Sequence, residues 1–137
     1  MKKIIVISAI ALLCASVAFA AITKKDLAGM KGKYEGKAST GGNVQVNITV
    51  EILNDAEPVQ AKATLSGFTG TVKSDWNISD PINAESKNGK ITSAGTIWFQ
   101  GEGGNFFEIT SYNAKDKKIS GWFYMNGFKA NVSATKK

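Results

Sequence analysis

Hydrophobic and polar residues alternate along most of the chain after its first twenty residues. The longest run covers residues 44–52, where five β-branched side chains fall on one face and Gln45, Asn47, Thr49 and Glu51 on the other. Residues 59–68 alternate in the same way. A period of two with one apolar face predicts antiparallel strands that cover a core on one side only.

The end of the chain predicts a β-hairpin. Asn126-Gly127 is a strong signal for a two-residue turn, because a type I′ turn requires φ > 0 at both central positions. This turn would place Met125 opposite Phe128 and Phe123 opposite Ala130. One face then carries a core set (Ile119, Phe123, Met125, Phe128, Ala130, Val132) and the other a mixed set (Ser120, Trp122, Tyr124, Lys129, Asn131, Ser133).

Turn signals recur every eight to twelve residues and divide the rest of the chain into short segments. Lys87-Asn88-Gly89 is a second Asn-Gly turn signal. The fold class is therefore all-β, an antiparallel meander of eight or nine strands closed into a small barrel, with a two-sheet sandwich as the alternative. The predicted strands are residues 33–39, 44–52, 59–68, 71–78, 82–85, 91–100, 105–112, 119–125 and 128–132.

A short helix precedes the first strand. Thr23 and Asp26 have the spacing of a capping box, and Leu27 and Met30 share a helical face. So short a helix needs the body of the domain to pack against.

The first twenty residues are typical of a cleaved signal peptide. Lys2 and Lys3 precede an apolar run that ends in Ala18-Phe19-Ala20. Leu13 before Cys14 does not suit a lipoprotein signal. We expect cleavage after Ala20, a single domain over residues 21–137, and a periplasmic or secreted bacterial protein with no remaining integral membrane segment.

The composition excludes most enzyme chemistry. The chain has no histidine, and Cys14 is its one cysteine. Ser-His, Cys-His, haem-ligating and ordinary zinc sites are therefore absent, and no catalytic residue, metal or cofactor is expected. Carboxylate catalysis remains as a remote alternative, with Asp75, Asp80, Glu102 and Glu108 as its candidates.

All basic residues are lysines, and none is arginine. Without Lys2 and Lys3, fifteen lysines outnumber eleven acidic residues, which gives a net charge of +4. The lysines are spread along the sequence, so no nucleic-acid site is predicted. The positive charge favours solubility or attraction to anionic partners and surfaces.

Two sets of residues are candidates for binding. Small inward residues (Ala61, Ala63, Gly95, Gly121, Ala130) leave room for an apolar ligand among Phe99, Phe107, Ile109, Phe123 and Phe128. Outward aromatic residues offer a face for a protein or glycan partner. This outer set comprises Trp98, Phe106, Tyr112, Trp122 and Tyr124. Tight packing of the interior and cover of the outer face by the helix or a second subunit are the structural alternatives.

Two short motifs carry family resemblances. A short helix followed by Gly32-Lys33-Tyr34 resembles the start of calycin barrels (lipocalins, fatty-acid-binding proteins, avidins), with tyrosine in place of their tryptophan. This resemblance implies a barrel that holds a small ligand. Ser120-Gly121-Trp122-Phe123-Tyr124 is similar to the S-G-x-x-Y motif of periplasmic lysozyme inhibitors, where it lies on a loop. A transmembrane barrel is a further alternative, although the chain is short for one.

These patterns predict an exported bacterial barrel that functions by binding. The first expectation is a small apolar ligand in the interior. The second is a recognition module, for example an enzyme inhibitor, that uses the outer aromatic face.

Overall fold

The computed structural model describes residues 21–39, 45–67, 81–101, 105–125 and 128–137, with backbone only for Met125 and Phe128. Each strand pairs antiparallel with the next, and the last pairs with the first, so the sheet closes into an eight-stranded barrel. The fold is all-β, and the barrel rather than the sandwich is confirmed. The strands are β1 Gly32–Ser39, β2 Gln45–Ile52, β3 Val59–Ser66, β4 Ile82–Ile91, β5 Ile97–Gln100, β6 Phe106–Asn113, β7 Lys118–Met125 and β8 Phe128–Lys136.

The predicted helix is present and closes one end of the barrel. A 3₁₀ turn over Lys24–Asp26 continues into α1, Leu27–Met30. The capping box forms, with the Asp26 carboxylate accepting from the Thr23 backbone N–H at 2.9 Å. Leu27 and Met30 are buried. The end of the barrel that the helix covers is called the helix end below.

The inner faces of β2 and β3 carry the predicted residues. Every apolar residue of the alternating pattern in these two strands is buried, whereas Gln45, Asn47 and Glu51 are exposed. The hairpin of β7 and β8 has the predicted register, with Met125 opposite Phe128 and Phe123 opposite Ala130. The turn residues Asn126 and Gly127 lie outside the described residues, as do residues 71–78, for which a strand was predicted.

The turn predicted at Lys87-Asn88-Gly89 is wrong, since β4 passes straight through it. A β-bulge lies there instead, because Val59 pairs with Gly89 while Ala61 pairs with Ser86. A Cβ atom on Gly89 would lie 2.4 Å from the Phe99 ring, so glycine lets the two strands approach. Glycine in a strand often marks such a bulge or close approach.

The strand predicted over residues 91–100 is also interrupted. Ile91 ends β4, and β5 begins at Ile97. Between them the chain turns tightly, with Gly95 at φ +79° and a hydrogen bond from the Ile22 N–H to its carbonyl oxygen of 2.8 Å. Gly95 therefore lies in a turn beneath the N-terminal segment and not among the small residues of the barrel interior.

Candidate functional site

Two places on the barrel have the composition of a binding site, and the first is an apolar crevice beside β4. Phe99, Phe107 and Phe123 line one side, and the small residues Ala61, Ala63 and Ala84 line the other. Five of the residues that the sequence predicts inside the barrel thus meet across one space: Ala61, Ala63, Phe99, Phe107 and Phe123. The remaining lining residues are Val50, Lys62, Glu85, Ser86, Gly101, Asn105 and Phe106.

The crevice lies where the barrel wall is least tightly paired. β4 and β5 share only two residue pairs, Lys90 with Trp98 and Ile91 with Ile97. Beyond the pair Lys90–Trp98, hydrogen bonds with side chains of β4 replace the backbone ladder to β5. The Gln100 N–H donates to Asn88 Oδ1 at 3.1 Å, and Ser86 Oγ donates to the Gln100 carbonyl oxygen at 3.0 Å. A strand seam held by side chains separates more easily than one held by a full ladder.

The crevice is narrow. Its cavity volume is about 30 Å³, room for about two water molecules. Its lining is predominantly apolar. On its outer side lies a polar groove that shares Glu85, Ser86 and Gly101 with the crevice and adds Lys87, Asn88 and Gln100. An apolar group that enters the crevice would therefore keep a polar group within reach of this groove.

The other predicted interior residues do not line the crevice. Ile109 is buried elsewhere in the core, and the Phe128 side chain lies outside what the structure describes. Gly121 adds no space, because a Cβ atom there would lie 1.9 Å from the Glu108 carbonyl oxygen. Ala130 is buried without contributing to the crevice. Ser86 and Asn88 were missed because the sequence places a turn where β4 continues, and Ala84, within the predicted strand 82–85, was not recognised as inward.

The second place is an outer aromatic patch of Trp98, Phe106, Trp122 and Tyr124 on three adjacent strands. Phe106 stacks between Trp98 and Tyr124, with ring centroids 4.4 and 4.9 Å away and interplanar angles of 25° and 9°. Trp122 meets Phe106 edge-on at 5.0 Å. All four side chains are half-buried. The sequence assigned these four residues correctly to the outer face.

Polar contacts fix the patch. The Trp122 indole N–H donates to Glu108 Oε1 at 2.8 Å, and Thr96 Oγ1 donates to Glu108 Oε2 at 2.6 Å. The Lys129 ammonium lies 4.2 Å from the Trp122 ring centroid, within the range of a cation–π contact. Glu108 thus orients a ring of the patch. Asp75, Asp80 and Glu102 lie outside the described residues.

Tyr112 does not belong to this patch, and its predicted outward position is wrong. A β-bulge in β6 places one extra residue between Ile109, opposite Gly121, and Ser111, opposite Ser120. The bulge reverses the alternation, so Tyr112 pairs with the buried Ile119 and packs against the core. Its hydroxyl lies against the helix, 2.9 Å from where a Cβ atom on Gly29 would be. Burial and the nearby Asp26 carboxylate raise the pKa of the Tyr112 phenol.

The S-G-x-x-Y motif lies within strand β7, with Ser120 and Tyr124 on its outer face. It is not on a loop, as it is in the inhibitor family. Within the described residues no cluster of three or more potential metal-binding side chains occurs. None of the helices described is both long and apolar enough to span a membrane.

The protein is a closed, eight-stranded antiparallel meander barrel. This architecture is consistent with a calycin-like barrel. Comparisons with protein-family models, with curated proteins and with solved structures gave no match.

Proposed function

We propose that this protein binds a small apolar ligand in the crevice between β4 and the strands β5 and β6. The observation that carries the proposal is the meeting of Ala61, Ala63 and Ala84 with three phenylalanine rings across an apolar space that opens through the wall. Small side chains facing large ones in a barrel interior leave room that a ligand can fill.

The geometry also limits the ligand. A slender group such as an alkyl chain suits a crevice of about 30 Å³ with an apolar lining. Entry requires β4 to separate slightly from β5, which the side-chain bridges from Ser86 and Asn88 to Gln100 allow. A polar end of the ligand would lie in the neighbouring groove, where Lys87, Asn88 and Gln100 offer hydrogen bonds.

The calycin resemblance at Gly32-Lys33-Tyr34 supports the same function. Tyr34 is buried where the helix meets the barrel, and its hydroxyl donates to the Met30 carbonyl oxygen at 2.5 Å. In this proposal the protein is exported by its N-terminal segment, is bacterial, acts in the periplasm or outside the cell, and is not an enzyme.

The experiment titrates the protein with a fluorescent fatty-acid probe and compares substitutions on the two faces of β4. Ala84→Leu fills the crevice at a partly buried position and should reduce affinity at least about tenfold. Asn83→Leu adds the same side chain to the outer face and should leave affinity unchanged. Ala63→Leu serves as a second crevice variant.

Thermal melts accompany each titration and separate loss of binding from loss of fold. Equal affinities for the wild type, Ala84→Leu and Ala63→Leu, all folded, would contradict binding in the crevice. Absence of binding by the wild type to any apolar probe would do the same.

The outer aromatic patch favours a second function, recognition of a protein partner. Trp122 and Tyr124 combine apolar area with polar tips, as protein interfaces do. A glycan is a poorer fit, since sugars stack on open ring faces, and both faces of Phe106 are covered by Trp98 and Tyr124. Lys129 lies over the Trp122 ring as well.

Trp122→Ala distinguishes the two functions. It should leave affinity for the apolar probe intact if the ligand lies in the crevice. If the patch is the binding surface, Trp122→Ala should abolish capture of a partner while the protein stays folded, and Ala84→Leu should not.

A further inference from the structure

The helix end of the barrel carries a concentration of lysines that the apolar crevice does not explain. Six lysines gather where β1, β7 and β8 meet the helix and the β6–β7 turn. They are Lys31, Lys33, Lys117, Lys118, Lys136 and Lys137. The sequence spreads these residues over more than a hundred positions, and the closure of the barrel brings them together. They are called the basic cluster below.

Backbone pairing fixes the positions of the cluster. The Lys136 N–H donates to the Lys117 carbonyl oxygen at 2.8 Å, and the Lys137 N–H donates to the Lys33 carbonyl oxygen at 2.9 Å. Lys118 pairs with Thr135 in the β7–β8 ladder. These backbone contacts hold the strand ends and the β6–β7 turn together, so the lysines that they carry are neighbours.

Two of these six ammonium groups have polar partners within the described residues, and Glu51 lies opposite Lys33 in the β1–β2 ladder. Lys137 forms an ion pair with Glu35 at 2.8 Å, and Lys136 Nζ donates to the Gly29 carbonyl oxygen at 3.0 Å. Among the described residues Lys33, Lys117 and Lys118 form no ion pair. All three are exposed.

Lys117 also occupies an unfavourable backbone conformation. Its φ of +55° is the left-handed region that favours glycine or asparagine. A lysine there costs conformational energy that a glycine would avoid, and such strain is concentrated at functional positions. Selection for charge at this turn would account for it.

We propose that the basic cluster docks the helix end of the protein onto an anionic phospholipid surface. Lysine ammonium groups interact with diffuse negative charge without a fixed geometry, as at a lipid headgroup layer. Nucleic acid fits less well, since the cluster has no arginine for bidentate phosphate contacts and no aromatic residue for base stacking.

The test is co-sedimentation of the protein, as isolated from cells, with phosphatidylcholine vesicles that contain or lack phosphatidylglycerol. The readout is the gain in binding due to phosphatidylglycerol, which removes any contribution of an apolar N-terminal segment. We expect a clear gain that falls steeply with added salt, since surface charge is screened. In a variant that combines Lys33→Gln, Lys117→Gln and Lys118→Gln, the gain in binding should be smaller by a factor of about ten or more.

A matched control removes the same charge elsewhere, through Lys37→Gln, Lys87→Gln and Lys129→Gln. This variant should retain most of the gain. An equal loss in both variants would overturn the proposal, because net charge and not the cluster would then govern binding. No gain with phosphatidylglycerol would overturn it too, as would tighter binding to a DNA duplex than to the anionic vesicles through the same three lysines.

Discussion

At the scale of single residues, two side chains affect stability in ways that the sequence alone does not predict. Lys117 holds a left-handed conformation in the β6–β7 turn, and Tyr34 buries a phenol beneath the helix. The first is a local cost that the surrounding structure maintains, and the second is a buried hydroxyl held by its hydrogen bond to the Met30 carbonyl oxygen. Each therefore gives a substitution whose effect can be predicted from one physical cause.

Lys117→Gly should stabilise the protein by up to about 1 kcal/mol, because glycine adopts φ +55° without the clash between Cβ and carbonyl oxygen. Urea unfolding measures the change. Lys115→Gly in the same turn is the matched control and should lower stability slightly, since residue 115 has no positive φ to relieve. A Lys117→Gly variant less stable than Lys115→Gly would contradict the assigned strain.

Tyr34 should make the barrel sensitive to alkali. Burial, with a smaller contribution from Tyr112, raises the pKa of its phenol well above the ordinary value. The neutral phenol is therefore favoured in the folded state, while the unfolded chain releases its proton from about pH 10 upward. The stability that Tyr34 contributes is complete below that pH and is lost as the pH rises toward the folded-state pKa.

Tyr34→Phe should thus flatten the decline in stability above about pH 10, while costing about 1 kcal/mol at neutral pH through loss of the hydrogen bond to Met30. Urea unfolding at a series of pH values measures both effects. Tyr124→Phe on the outer face controls for the general effect of removing a hydroxyl. An alkaline decline as steep in Tyr34→Phe as in the wild type would show that other groups cause it.

At the scale of elements, strand β7 contributes to both candidate surfaces, because its adjacent residues face opposite sides of the barrel wall. Phe123 is buried inside the barrel and lines the crevice. Trp122 lies half-buried in the outer aromatic patch and bonds to Glu108. The two rings therefore contribute to different faces of the same strand.

Phe123→Ala should cost about 3–5 kcal/mol, because it leaves a cavity in the core. Trp122→Ala should cost about 1–2 kcal/mol, through lost ring contacts and the hydrogen bond to Glu108. Denaturant melts of the two variants test the difference. Equal destabilisation would mean that the outer face is buried in the folded protein, and the assignment of a recognition surface to it would then be wrong.

At the scale of the whole molecule, the strands that close the barrel all lie between residues 32 and 136. The basic cluster lies at the helix end of the barrel, and the crevice lies in the wall beside β4. The two proposed functions therefore occupy different regions and can be tested independently.

Intact-mass analysis of the protein recovered from outside the cytoplasm should find a chain that begins at Ala21. The expectation rests on Lys2 and Lys3, the apolar run and the Ala18-Phe19-Ala20 site. Substitution of Ala18 and Ala20 by bulky residues should block processing. A mature protein that retains residues 1–20 would contradict cleavage.

The sequence by itself determined the class of the fold and much of the core. The alternation in β2 and β3, the capping box at Thr23 and the register on either side of Asn126-Gly127 are set by local preferences and by the period of two. These features need no knowledge of the neighbouring strands. For the same reason, the sequence identified Phe99, Phe107 and Phe123 as interior and Trp98, Trp122 and Tyr124 as outward.

Only the tertiary structure decided where that alternation fails. The bulges in β4 and β6 arise because each strand must fit its neighbours in a closed barrel, and a single extra residue reverses every side chain beyond it. That reversal moved Tyr112 inward beneath the helix, and the bulge at Asn88-Gly89 replaced a predicted turn. The crevice and the basic cluster likewise depend on contacts between distant strands, because their residues meet only when the barrel closes.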